Sequence, residues 1–104
     1  MYNNNVDLNS SYHLIAQTVY KYLPDDTESI IFGSQVTGTA KKYSDIDIGI
    51  KTLKPLNIAL LAQIHQELED SDIPYLVDII DLSTVSDKFK SVALNQTINL
   101  KSFL

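Results

Sequence analysis

Two periods of hydrophobicity divide the chain into alternating helical and strand segments. In three segments apolar residues recur every three or four positions, as they do on the buried stripe of a helix. Three shorter runs are rich in β-branched residues, and one of them alternates strictly between apolar and polar positions. The pattern predicts helices over 10–23, 56–69 and 86–95, strands over 29–32, 45–51 and 75–82, and a short helix over 34–40.

The arrangement of these segments predicts one α+β domain over residues 1–104. Residues 1–9 are polar and predict a flexible leader, whereas 97–104 fit a short edge strand or a helical tail. No repeat or linker interrupts the rest of the chain. We expect a small mixed β-sheet of three to four strands with helices packed on one face, and with its polar positions on the open face.

Composition narrows the class of protein. A chain of 104 residues holds one core, and its hydrophobic content of 44% is ordinary for a globular domain. No apolar run approaches the roughly 20 residues that cross a bilayer, and the first residues do not resemble a signal peptide. Cysteine is absent, which excludes disulfides and thiolate chemistry. We therefore expect a cytoplasmic protein that does not associate with membranes.

The charge argues against stable binding of nucleic acid. The net charge is −5, and all eight basic residues are lysine. Proteins that hold nucleic acid neutralise several phosphates with Lys and Arg. An acidic chain can still bind a nucleotide if a divalent cation offsets the charge.

Three aspartates stand at polar positions of the predicted strands. Asp45 and Asp47 are two residues apart, so their Cα atoms lie about 6.6 Å from each other on one face of a strand. Two carboxylates placed in this way can converge on Mg²⁺, and Asp78 in the third strand can hold a second cation or act as a general base. The alternative is that all three are ordinary solvated residues, loop caps or partners of lysine.

The turn after the first strand complements the aspartates. Gly33 allows a ligand to approach the backbone, and Ser34 stands where a helix begins and free N–H groups can meet a phosphate. Gly38 keeps one side of the short helix clear, and Lys42 can reach a phosphate. A plain turn and a solvated lysine are the competing interpretations.

Two further interpretations concern helix faces. His13 and His65 lie mid-helix beside apolar residues without partners at metal-ligand spacing, so we expect both at the helix surface or the core edge. In the last helix, Phe89, Val92 and Ala93 are predicted to face inward.

The order of these motifs resembles the minimal nucleotidyltransferases of the polymerase-β-like nucleotidyltransferase superfamily. The likeness extends over nearly the whole chain and is carried by Gly33-Ser34, Gly38, Ser44-Asp45-Ile46-Asp47 and Val77-Asp78. One departure is clear: family members often carry arginines where this chain has Gln35 and Thr37.

The resemblance implies a fold, a reaction and a partner. The fold is a nucleotidyltransferase palm-like sheet. Asp45, Asp47 and Asp78 bind two Mg²⁺ ions, the Gly-Ser turn holds a nucleoside triphosphate, and a nucleoside monophosphate passes to a hydroxyl, with ATP as the expected donor. Minimal members pair with a helical HEPN-domain toxin and act as its antitoxin, in some cases by adding AMP to a tyrosine of the toxin.

Two other functions remain open at this stage. The protein can be a non-catalytic antitoxin that neutralises a helical partner by forming a complex with it. It can also be a nucleotidyltransferase that modifies an aminoglycoside-like drug, although a chain this short lacks a second domain to hold the drug. Because the chain offers little room for base and acceptor, we expect a homo- or hetero-oligomer to complete the site.

Overall fold

The computed structural model describes residues 4–40 and 44–104, with the backbone alone for residues 4–7. It contains the helices α1 (Asn4–Tyr22), α2 (Ser34–Thr37), α3 (Ile58–Glu69) and α4 (Asp87–Ala93), the strands β1 (Glu28–Phe32), β2 (Ile46–Lys51), β3 (Val77–Asp81) and β4 (Ile98–Asn99), and a 3₁₀ helix (Leu100–Phe103).

The strands form one mixed sheet in the order β3-β2-β1-β4. β1 pairs antiparallel with β2 and with β4, whereas β2 and β3 are parallel because α3 returns the chain between them. The predicted α+β class and mixed sheet are confirmed. The last residues supply both predicted alternatives, a two-residue edge strand and a short helix.

The main core lies between this sheet and the two long helices. Ile46, Ile48 and Ile50 alternate along β2, and all three are completely buried. α1 contributes Ile15 and Val19 to the same cluster, and α3 contributes Ile64 and Leu68. The strict alternation of β2 therefore fixes which face of the sheet the long helices cover.

The opposite face is open at one end and covered at the other, which corrects the expectation of helices on a single face. A second cluster joins Ile30, Phe32 and Leu82 to Ala93 of α4. Gly49 lies under it, and a Cβ atom there would stand 2.8 Å from Leu82 Cδ1. The missing side chain lets Leu82 fold onto the sheet, so α4 covers this face from Leu82 to Phe32 in β1 and leaves the β2–β3 side beside Phe32 open.

Two segments differ from the sequence prediction. α1 begins at Asn4, so residues 4–9 are helical and do not form the predicted leader. Leu8 packs against the main core, a contact that only the folded chain provides. In α4 only Ala93 is buried, while Phe89 and Val92 are 41% and 73% exposed. A helix of seven residues that buries one alanine has a narrow buried stripe.

The helices within the described ranges include none that is both long and apolar enough to cross a membrane.

Candidate active site

Two of the three predicted aspartates are neighbours on the open end of the sheet. Asp47 in β2 pairs in register with Asp78 in β3, and on its other side with Phe32 in β1. Paired residues of adjacent strands point to the same face, about 4.8 Å apart. Asp45 is exposed and lies one residue before β2 begins, not inside the strand as predicted. The fold thus gathers the three carboxylates at one sheet end.

The charges of this cluster act on one another. Burial of Asp47, together with the negative charges of Asp78 and Asp45, raises the pKa of the Asp47 carboxyl above its ordinary value. A group of like charges disfavours ionisation unless a cation is close by. The raised pKa of Asp47 thus reflects the negative charge that the three carboxylates concentrate at this end of the sheet.

Carboxylate oxygens are the donors that Mg²⁺ prefers, and it is usually held by one or two carboxylates together with substrate phosphates. The donor chemistry of Asp45, Asp47 and Asp78 fits that ion. Within the described residues, however, no group of three or more His, Cys, Asp or Glu side chains is arranged to hold a metal ion.

Gly33 adjoins Asp47 directly. It caps α2 with φ 83° and ψ −157°, a backbone conformation that is essentially restricted to glycine. A Cβ atom at this position would stand only 2.4 Å from Asp47 Oδ2. Glycine is therefore required both by the backbone of the turn and by the carboxylate beside it.

Ser34 follows as the first residue of α2, a helix of four residues. The carbonyl of Gly33 accepts hydrogen bonds from Val36 N and Thr37 N at 3.0 and 3.1 Å, which closes the turn. The first N–H groups of a helix have no partner within it and can donate to an anion. The turn places such groups next to the aspartates.

The remaining predicted phosphate contacts are only partly described. Gly38 ends α2 in the left-handed conformation, with φ 80°, and no atom lies within 4 Å of a Cβ built there. The left-handed backbone conformation by itself favours glycine at this position, in addition to the predicted clearance for a ligand. Lys42 lies outside the described residues. Gln35, in the position of a family arginine, donates from Nε2 to the carbonyl of Ser44 at 2.8 Å.

The flank of the site towards α3 forms a cavity of about 160 Å³. Asp45 and Asp78 line it together with His65 and Glu69, one helical turn apart on α3. His65 is half-buried, at the core edge as predicted, but its place beside two of the aspartates was missed. The spacing of His65 and Glu69 was visible in the sequence; the approach of α3 to the start of β3 was not.

Sequence reasoning also missed Asp81, which is 5% exposed at the end of β3. Its carboxylate accepts hydrogen bonds from Leu56 N at 2.6 Å, from Ser83 N at 2.9 Å and from the Ser83 hydroxyl at 2.7 Å. Burial by itself raises the pKa of Asp81, but these hydrogen bonds lower it overall. Asp81 fastens the loop before α3 to the sheet, so its role is structural. An Asp two residues before a serine is a local turn signal.

The sequence matches a known family over most of its length. The family model "Polymerase beta, Nucleotidyltransferase" matches residues 15–102. The chain belongs to this family. It is also 34% identical over 87 residues to the probable protein adenylyltransferase MntA of Haemophilus influenzae, a match that covers 84% of this chain and 76% of that protein. Membership of this family and the similarity to this relative identify the chain as a nucleotidyltransferase.

Solved structures share the fold. A toxin–antitoxin crystallised with AMP-PNP has a chain that superposes with a TM-score of 0.69 at 24% identity, covering 86% of this chain and 71% of its own length. A complex of the tri-AMPylated HEPN toxin of Shewanella oneidensis with its MNT antitoxin gives a TM-score of 0.66 at 23% identity, covering 86% of this chain and 68% of its own length. At such identities the likeness concerns the fold, which is the predicted nucleotidyltransferase fold.

Proposed function

We propose that this protein is an Mg²⁺-dependent nucleotidyltransferase that transfers AMP from ATP to a hydroxyl of a helical HEPN-type toxin and thereby acts as its antitoxin. The observation that carries the proposal is the register of Asp47 with Asp78, beside Gly33, on the open end of the sheet. The similarity to an adenylyltransferase and the fold shared with antitoxins in toxin–antitoxin complexes support the choice of nucleotide and partner. We expect the reaction in the cytoplasm, where ATP is available.

In this proposal the residues divide the work between donor and acceptor. Asp45 and Asp47 would hold Mg²⁺, while backbone N–H groups after Gly33 bind phosphate oxygens. The bound ion would neutralise the charge of the phosphates. The acceptor oxygen attacks the α-phosphorus, its proton passes to Asp78, and the bond to the leaving pyrophosphate breaks. The chain mainly positions the reactants, as phosphoryl transfer requires.

A partner surface is needed to complete this site. Asp45 and Asp78 are both exposed, and the cavity beside them is only about 160 Å³. Ligand pockets are usually about 300 Å³ or larger. A helical partner that brings its own hydroxyl to the open end of the sheet would close the site and exclude water from it.

The first test is ATP binding by calorimetry, with and without Mg²⁺, on the wild type and on the Asp45→Asn/Asp47→Asn double variant. We expect binding that requires Mg²⁺ and is lost in the variant, together with loss of AMP transfer to the partner. The matched control is Asp25→Asn/Asp26→Asn, which changes the net charge equally at two exposed positions of another turn. Equal loss in both double variants, or full transfer by the first, would refute the proposal.

A second candidate is the non-catalytic antitoxin that binds its partner without modifying it. It is favoured by the absence of arginine from the sequence, because arginine is the side chain that binds phosphates as a bidentate cation. Gln35 is uncharged, and its side chain donates to the backbone carbonyl of Ser44. The same double variant separates the two functions. If the Asp45→Asn/Asp47→Asn variant neutralises the toxin as effectively as the wild type does, the protein acts by binding alone.

A further inference from the structure

The aromatic ring of Phe89 lies partly exposed on α4. It is the most exposed of the Phe and Tyr side chains that the structure describes, with 41% of its surface accessible. Single exposed apolar residues are common on protein surfaces, so the exposure alone decides nothing. What matters is the surface on which this ring lies.

Two contacts fix Phe89 beside the open end of the sheet. Its ring meets the ring of Phe32 edge to face, with centroids 6.1 Å apart and planes at 88°. Its backbone N–H donates to Ser86 Oγ at 3.1 Å, the hydrogen bond that caps α4. An edge-to-face pair defines ring orientation. Phe89 is thus held in place while much of its ring stays accessible.

Phe32 links this ring to the candidate site. It pairs in register with Asp47, and Gly33 is the next residue along the chain. Phe32, Asp47 and Asp78 therefore form one row across the sheet, with Phe89 standing over the end of the row that is furthest from Asp78. The site has an aromatic wall on its α4 side.

The other flank of the row has a different chemistry. The cavity towards α3 is small, and the three carboxylates of Asp45, Glu69 and Asp78 line it together with His65, Leu68, Tyr75, Leu76 and Val77. Three like charges distinguish that flank, whereas the accessible ring of Phe89 offers an uncharged stacking surface on the other. Stacking of a base on an aromatic side chain is worth about fivefold to more than 100-fold in binding when measured by replacement with alanine.

We infer that Phe89 is a nucleotide-binding residue that stacks on the base of the bound nucleoside triphosphate. The inference rests on the proposed function, because it requires a nucleotide whose phosphates lie at Gly33 and Ser34. It assigns the base to the α4 flank and leaves the α3 flank to the acceptor.

The test compares ATP with inorganic tripolyphosphate, which has the phosphates but no base. Dissociation constants of both are measured by calorimetry in Mg²⁺ for the wild type, Phe89→Leu and Phe89→Tyr. Leucine keeps apolar contact with Phe32 but removes the aromatic face, whereas tyrosine keeps that face. Leu53→Ala, a fully exposed apolar position after β2, is the surface control.

We expect Phe89→Leu to weaken ATP binding by at least about fivefold and to leave tripolyphosphate binding unchanged. Phe89→Tyr and Leu53→Ala should both retain the wild-type affinities. Unchanged ATP binding in Phe89→Leu, or equal weakening of both ligands, would overturn the inference. So would a rise confined to the KM of the acceptor, since the ring would then contact the acceptor. If the wild type bound neither ligand, alone or with its partner, the proposed function itself would fail.

Discussion

Replacing Gly33 by alanine tests whether the turn and the carboxylate of Asp47, a metal ligand in the proposed function, depend on each other. The new Cβ would stand 2.4 Å from Asp47 Oδ2 and 3.3 Å from Asp47 Cγ. Contacts that short do not occur, so the Asp47 side chain must move. The backbone must also keep φ 83° and ψ −157°, which alanine strongly disfavours.

The two effects have different magnitudes and different readouts. The strained backbone should lower the free energy of unfolding by about 1–3 kcal/mol. If Asp47 holds the metal ion as proposed, its displacement should lower the rate of nucleotidyl transfer by up to roughly 100-fold, the loss that a misplacement of about 1 Å can cause in an active site. The loss of rate should therefore persist at temperatures where the variant is fully folded.

Urea unfolding and the initial rate of AMP transfer to the partner measure these effects separately. Gly49→Ala is the matched control, because its Cβ would press on Leu82 and Ile30 in the same sheet, away from Asp47. Overpacking there should also cost about 1–3 kcal/mol, but the transfer rate of the folded protein should change little. The reasoning is refuted if Gly33→Ala transfers as fast as the wild type or if both variants lose rate in proportion to stability.

Three further predictions concern other contacts. Gly38→Ala should lower the free energy of unfolding by about 1–2 kcal/mol in urea titrations, because Gly38 has a left-handed backbone conformation. Gly38→Asn should lower it by less, because asparagine tolerates that conformation. A loss of ATP affinity in both variants would support the predicted clearance for the nucleotide. Asn57→Ala should cost about 1 kcal/mol, since its side chain accepts from Ala59 N and Leu60 N at the start of α3; a variant as stable as the wild type would contradict this. Asp81→Asn should cost about 1–3 kcal/mol at neutral pH. Because folding lowers the pKa of Asp81, its carboxylate stabilises the fold at a pH above the unfolded-state pKa near 3.9, and this stabilisation is lost as the pH falls through the folded-state pKa. The difference in stability between variant and wild type should therefore shrink in acid. A difference independent of pH would contradict this prediction.

Local periodicity was enough for most elements of the fold. The alternation around Ile46, Ile48 and Ile50 predicted β2 and its buried face, and α3 begins within two residues of its expected start. These signals are strong because they repeat along one segment and need no knowledge of its neighbours. The start of α1 was missed because residues 4–9 are mostly polar. They are helical because α1 continues towards the amino terminus from the packed residues that follow.

The faces of α4 depended on contacts that no local pattern carries. The spacing of Phe89, Val92 and Ala93 fitted an inward stripe, yet only Ala93 is buried. Which side of this short helix meets the sheet is decided by the space above Gly49 and Ile30, residues far from α4 in the sequence, and by the position of Leu82 in that space. Exposure of Phe89 is therefore a property of the tertiary structure.

The same division holds at the candidate site. By itself the sequence determined the residue types, the strands on which Asp47 and Asp78 stand and the turn at Gly33, because strand period and glycine chemistry are local. Only the tertiary structure decided that Asp47 pairs with Asp78, that its carboxylate lies against Gly33, and that His65 and Phe89 stand on opposite flanks. Register and helix packing join residues separated by tens of positions, and their energies depend on the whole core.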